Sequence, residues 1–275
     1  MKQTVLVTGA SSGFGKATAE LFAARDWNVV ATMRNPHDLP GTFVTRLDVQ
    51  DPASIERAVA AGIERFGRID AVINNAGYGL FGVFEQTSDA KVREQFDVNV
   101  FGVMNVVRAV LPHFRANRDG VFVNVGSGAG VFALPMISLY NASKFALEGF
   151  SESLSYELGA LGIRVKIVEP GGVLGTSFGD RAAKEASDSS AIRDYDAFLR
   201  GAGEVFARLR AARASAPDAT SEHVADVIYA ATLDRTDRLR WVATSDIEPL
   251  VHARRGTSEE EYLAFMRARV SPENV

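Results

Sequence analysis

Short apolar runs alternate with helical stretches along most of this chain, and that alternation leaves few folds open. Runs at Gln3–Thr8, Asn28–Met33, Phe43–Leu47, Ile69–Ile73, Val121–Val125 and Ile163–Val168 are strand-length and contain β-branched residues. Helical patterns lie between them at Lys16–Arg25, after Asp51, at Asp89–Arg115 and at Ser138–Gly159. Asp51 is placed to cap its helix, with Pro52 at the first helical position, where a missing N–H does little harm. Strands that alternate with helices in this way pair in parallel and are covered on both faces. The expected class is α/β: a doubly wound parallel sheet flanked by helices.

The pattern changes after Gly171. Thr176–Pro217 is rich in Ala, Arg, Asp and Ser, with helical signals at Tyr195–Arg213, and reads as an insertion. A capped helix starts near Ser221, and Arg240–Ala243 reads as an edge strand. Thr257 and Ser258 with Glu260 and Glu261 form capping-box patterns in a C-terminal extension over 244–275. No linker, repeat or low-complexity segment divides the chain, so residues 1–275 are expected to form one domain.

Composition excludes several classes of function. The chain has no cysteine, which removes disulfides, thiol catalysis and cysteine-ligated zinc and fits a reducing, cytoplasmic setting. The four histidines are scattered, so no metal site is expected. The net charge is −4 with no long basic block, which argues against nucleic acid as a partner. No apolar run approaches membrane-spanning length, and the N-terminus does not read as a signal peptide.

The segment TGASSGFG joins the first strand to the first helix. Gly9, Gly13 and Gly15 would let backbone N–H groups approach a pyrophosphate at the positive end of that helix, with Ser11, Ser12 and Phe14 between them. The alternative is simply a tight strand-to-helix turn. The second strand ends at Met33-Arg34, where an NAD site usually carries an acidic residue for the ribose 2′-hydroxyl. Arg34 instead suits a 2′-phosphate, so NADP(H) is the expected cofactor; a solvated surface arginine is the alternative.

Tyr140 and Lys144 lie four residues apart in YNASK, on one face of an expected helix. An ammonium beside a phenol favours the phenolate and is expected to pull the Tyr140 pKa down from about 10. Ser127 lies upstream in the Gly-rich loop GSGAG, where its hydroxyl could polarise a carbonyl oxygen.

Taken together, these motifs resemble the short-chain dehydrogenase/reductase family over about Lys2–Phe178. The match includes TGASSGFG, LDV (Leu47–Val49), NNAG (Asn74–Gly77), Val98-Asn99, Gly126-Ser127, YNASK and PGG (Pro170–Gly172), in order and at the right spacing. NNAGYGLFGVFE looks most like the branch with steroid and retinoid dehydrogenases and bacterial ketoreductases. The resemblance implies a Rossmann-type fold and a set of roles. Tyr140 is the general acid and Lys144 its pKa-lowering partner, bonded to the nicotinamide ribose. Ser127 orients the carbonyl, and Asn99 holds a relay water. Asp48 and Val49 contact the adenine; Asn75, Ala76 and Gly77 line the cofactor near its ribose; Pro170, Gly171 and Val173 back the nicotinamide. Thr176 falls one residue late for the family's carboxamide contact. The resemblance also implies pairing of the two long helices with another subunit, as a homodimer or homotetramer.

Plainer readings stand beside these. Asn99 also reads as a purely structural hydrogen-bonding residue, and Asp48 as a turn cap. Tyr78, Leu80, Phe81, Phe132, Leu134, Met136 and Phe178 could be core or could line a pocket for a hydrophobic substrate. The expected activity is NADP(H)-dependent hydride transfer between nicotinamide and a small-molecule carbonyl or secondary alcohol. The rivals are an NAD-preferring dehydrogenase and a non-catalytic NADP(H)-binding sensor.

Overall fold

The computed structural model describes residues 2–173, 192–214 and 216–271. Its centre is a seven-stranded sheet: β1 (Thr4–Thr8), β2 (Asn28–Met33), β3 (Phe43–Arg46), β4 (Ala71–Asn74), β5 (Gly120–Val125), β6 (Ile163–Glu169) and β7 (Arg240–Val242). The order is β3-β2-β1-β4-β5-β6-β7, and every pairing is parallel. Strand order reverses between β1 and β4, the kind of switch point at which such sheets bind ligands beyond their carboxyl ends. The loops Gly9–Ser12, Asn75–Gly77, Gly126–Ser127 and Pro170–Gly172 all leave that end.

Both faces of the sheet are covered, as a parallel sheet requires. One apolar cluster joins Val5, Val7, Ala31 and Val123 to α1 (Gly13–Ala24) and, later in the chain, α7 (Ser221–Leu233). The other joins Leu6, Val30, Val72 and Phe122 to α2 (Pro52–Phe66), α4 (Gly102–Asn117) and α5 (Ser138–Gly159). Alternate strand residues feed opposite clusters because side chains alternate across a strand.

Asp51 caps α2 as expected, its carboxylate accepting the Ser54 N–H, and Gly67 closes the helix in the left-handed region at φ 84°. Helix α1 starts at Gly13 rather than Lys16, so the last glycines of the loop belong to its first turn. The single helix expected over Asp89–Arg115 is not continuous. It consists of α3 (Asp89–Phe96), a π turn at Asp97–Phe101, and α4. Gly102 shows one reason for the tight join: a Cβ there would sit 2.7 Å from Val49 Cγ2.

Within the expected insertion the described part is helical, α6 (Asp196–Ala214). The C-terminal extension adds α8 (Glu248–Gly256) and α9 (Glu259–Val270). Of the two capping-box candidates, Ser258 with Glu261 forms the box; Thr257 turns back to the Ala253 carbonyl instead. These helices enclose a third apolar cluster that includes Phe132, Val205, Ile247 and Met266. No helix among the described residues is long and apolar enough to cross a membrane.

Candidate active site

The glycine loop is shaped by close backbone contacts. Gly9 has φ +69° and Gly13 φ +52°, conformations that L side chains rarely adopt. A Cβ on Gly15 would overlap the Gly9 carbonyl and the Asn75 amide. Asn75 pins the same loop, donating from Nδ2 to the Thr8 carbonyl at 2.9 Å. Thr8 Oγ1 accepts the N–H groups of Asn75 and Ala76 at 2.9 and 3.0 Å. At the start of α1 the Ser12 side chain makes no capping bond and the first turn holds no acidic residue. The helix therefore presents its positive end to a pre-shaped loop, which fits an anionic diphosphate.

Met33 is buried at the end of β2, and Arg34 is exposed just beyond it. Among the described residues Arg34 forms no ion pair, so its guanidinium is available at the edge of this loop. Asp48 serves its own turn, its Oδ1 accepting the Gln50 N–H at 3.1 Å and its backbone bonded to Ser54 Oγ. Val49 is buried beside Gly102.

Ser127, Tyr140 and Lys144 come together where β5 ends and α5 begins. Ser127 reaches the Tyr140 side chain. Its Oγ also accepts the Ala129 N–H at 3.1 Å. Tyr140 keeps part of its surface open, but the protein encloses it closely enough that burial pushes its hydroxyl up to about 12; the Ser127 hydroxyl works against that rise. The expectation that Lys144 pulls this pKa below its ordinary value is corrected here. The Lys144 ammonium lies 5.8 Å from the Tyr140 ring centroid and donates to the Val125 carbonyl at 2.8 Å. Burial lowers Lys144 itself to about 8, opposed by the nearby Glu148 carboxylate.

Asn99 sits in the π turn and is buried. It grips the Tyr78 main chain and donates to Ser143 Oγ at 3.1 Å. Gln95, one turn earlier, repeats the grip: it donates to the Tyr78 carbonyl and accepts the Leu80 N–H, both at 2.8 Å. Sequence reasoning missed Gln95, whose signal is only a buried polar residue on the same helical stretch.

Tyr78, Leu80 and Phe132 are core residues. Phe81 lies edge-on to Phe206 of α6, with ring centroids 4.7 Å apart. Met136, just before α5, has φ +64°, and its carbonyl accepts the Gly82 N–H at 2.8 Å. A non-glycine residue held in this region is uncommon and is often found at functional sites.

The Pro170–Gly172 loop is held from the C-terminal extension. Gly171 donates to Thr244 Oγ1 at 2.8 Å and Gly172 to Asp246 Oδ2 at 3.2 Å. Asp246 also accepts from Arg213 Nε at 3.0 Å, which ties this loop to α6. Val173 packs on the first apolar cluster. Thr176 and Phe178 lie outside the described residues. No group of three or more His, Asp or Glu among the described residues could hold a metal ion.

The family model described as short chain dehydrogenase matches residues 3–186. The chain belongs to this family. Like other short-chain dehydrogenases it is an oxidoreductase. It is 41% identical over 201 residues to a 3-ketodihydrosphingosine reductase of Bacteroides thetaiotaomicron, covering 72% of this chain and 74% of that protein. A short-chain dehydrogenase from Streptomyces avermitilis superposes with a TM-score of 0.78 at 32% identity, covering 98% of this chain and 94% of the other. A Burkholderia phymatum short-chain dehydrogenase/reductase in complex with NAD superposes at 0.77 with 25% identity, covering 100% and 98%.

Proposed function

We propose that this short-chain dehydrogenase is an NADP(H)-dependent oxidoreductase acting between a carbonyl and a secondary alcohol. The observation that carries the reading is the convergence of Ser127, Tyr140 and Lys144 where β5 ends and α5 begins, at the carboxyl end of the sheet. Bound NADPH supplies the hydride. The Tyr140 phenol donates its proton to the substrate oxygen. Its raised pKa keeps that proton in place at neutral pH. The single O–H of Ser127 can be donated to the substrate oxygen, where it would stabilise a developing oxyanion. Asn99 and Gln95 fix the Asn75–Leu80 loop beside the cleft. Lys144, 5.8 Å from the Tyr140 ring centroid, would hold the nicotinamide ribose.

Gly9, Ser11, Ser12, Gly13, Phe14 and Gly15 would hold the diphosphate of the nucleotide. Arg34 would hold the 2′-phosphate, and Asp48 and Val49 the adenine. Asn75–Gly77, Pro170, Gly171 and Val173 would line the nicotinamide half, with Thr176 as a further candidate. The buried Met33, which offers no acceptor for a ribose 2′-hydroxyl, supports NADP(H). The Burkholderia neighbour was solved with NAD, which keeps an NAD preference as the competing reading.

A hydrophobic ketone is the proposed substrate class. The Phe81–Phe206 contact provides an aromatic wall between the Tyr78 loop and α6, and the Bacteroides relative is named for a ketone of a long-chain base. Exposed Phe101 and Phe145, which flank α4 and lie on α5, support assembly through those helices as a homodimer or homotetramer. We further read the chain as one domain working in the cytoplasm.

The test is Tyr140→Phe. NADPH oxidation is followed across steroids, retinal, aldehydes and small ketones, and NADPH binding is followed by fluorescence. The variant should lose turnover and keep cofactor affinity. Substantial turnover by Tyr140→Phe would refute the mechanism, and tight NADPH binding with no turnover by the native chain would favour a sensor.

A further inference from the structure

One turn beyond Lys144, on the same face of α5, Glu148 is 6% exposed in a setting where an acid needs a reason to be. Its Oε2 accepts Arg240 Nε of β7 at 2.9 Å. Its Oε1 has no hydrogen-bond partner among the described residues. That oxygen faces the serine loop, since a Cβ on Gly126 would lie 3.1 Å from it. A Cβ on Gly130 would lie 3.0 Å from Glu148 Cγ. Glu148 thus packs directly behind the segment that carries Ser127.

The cluster continues away from the site. Arg240 also bonds Glu152 on α5 and lies 3.8 Å from Glu169 Oε1. Glu169, fully buried at the end of β6, is held by both terminal nitrogens of Arg255 from α8. The charged groups facing one another are Lys144, Glu148 and Glu152 of α5, Glu169 of β6, Arg240 of β7 and Arg255 of α8. Three cations and three carboxylates balance when all are ionised. Burying such a set is costly, and packed apolar residues would stabilise the fold at least as well.

We propose that Glu148 is a positioning residue for the reaction: its carboxylate holds the charge of Lys144 from behind the site, and Arg240, Glu169 and Arg255 hold that carboxylate in turn. The C-terminal segment thereby sets the electrostatics of the Tyr140–Lys144 pair. The inference rests on the reading of that pair as proton donor and partner. Burial lowers Lys144 and the Glu148 charge opposes the fall. Burial and Glu169 push Glu148 up to about 7, opposed by Arg240 and Arg255. Loss of Glu148 therefore removes the negative charge behind Lys144.

Lysine ε-13C NMR of the full chain reads Lys144 directly, with Lys144→Met assigning its signal. Glu148→Gln should lower the Lys144 titration midpoint by at least about half a pH unit. The alkaline limb of kcat/KM should move the same way, and kcat should fall several-fold more than the NADPH affinity. Glu148→Asp, which keeps the charge, should leave both nearly unchanged. An unchanged Lys144 midpoint and pH profile in Glu148→Gln would overturn the proposal, and Glu148→Ala decides if that variant does not fold. If those profiles were unchanged while Tyr140→Phe was inactive, only the Glu148 role would fall. If Tyr140→Phe kept turnover, the underlying mechanism would fall.

Discussion

Asn99 holds Tyr78 by both backbone groups: its Nδ2 donates to the Tyr78 carbonyl at 2.9 Å and its Oδ1 accepts the Tyr78 N–H at 3.1 Å. This is the geometry of a clamp on the loop beside the cleft, and it uses the amide's carbonyl and one of its N–H groups for structure. Asn99→Leu removes the side-chain acceptor of the buried Tyr78 N–H, while Gln95 still holds the Tyr78 carbonyl, a loss of about 1–3 kcal/mol. Thermal unfolding should show a clear drop in Tm, and KM for the nucleotide should rise. An unchanged Tm would assign Asn99 to a water relay alone.

Ser127→Ala removes the hydroxyl that works against the rise of the Tyr140 pKa. The phenol then holds its proton more tightly, and the substrate oxygen loses a donor. We expect kcat to fall by about 100-fold, within the range for losing one oxyanion donor. NADPH affinity should change little. A steady-state comparison of kcat and nucleotide Kd separates the two.

Arg34→Ala tests the cofactor reading. Loss of a charge-assisted bond to a 2′-phosphate should weaken NADPH by roughly 10- to 100-fold, or about 1.5–3 kcal/mol, and leave NADH nearly unchanged. Fluorescence titration with both nucleotides measures this. Equal NADPH affinity in the native chain and the variant would place the NAD reading first.

Lys144 has a folded-state pKa of about 8 against an ordinary 10.5. Between those values the unfolded chain binds the proton and the folded chain does not. Stability from this group therefore rises with pH through that window, and the full burial penalty is present below pH 8. The native chain's Tm should rise between pH 7.5 and 9.5, and Lys144→Met should be inactive and flatten that rise. Calorimetry at both pH values, without nucleotide, checks the sign.

Much of this was legible in the sequence because local chemistry and global fold agree. The strands were visible as apolar runs because parallel strands are buried on both faces. Asp51-Pro52 and Ser258–Glu261 announced their helices through caps that depend only on neighbours. Ser127, Tyr140 and Lys144 were legible as a spaced motif, and the structure brings them together. What escaped was set by distant partners. The break at Asp97–Phe101 answers the packing of Gly102 on Val49. Helix α8 is short, opens with Glu248-Pro249, and is fixed by Arg255 reaching Glu169 across 86 residues. The Tyr140 pKa was misjudged because spacing on a helix says nothing of burial or of a competing acceptor such as the Val125 carbonyl.

The π turn makes the site sensitive to chain length at one point. A π turn carries one more residue than the α turn it replaces. Removing a single codon between Asp97 and Phe101 would let α3 and α4 fuse into one regular helix. Every residue before the deletion would then rotate by about 100° relative to α4. Gln95 would swing off Tyr78 while both hydrophobic clusters kept their composition. The chain would conserve its strands, its glycine loop and its Tyr140–Lys144 pair, and would lose the alignment of one loop: a frame error in three dimensions with no nonsense in the text.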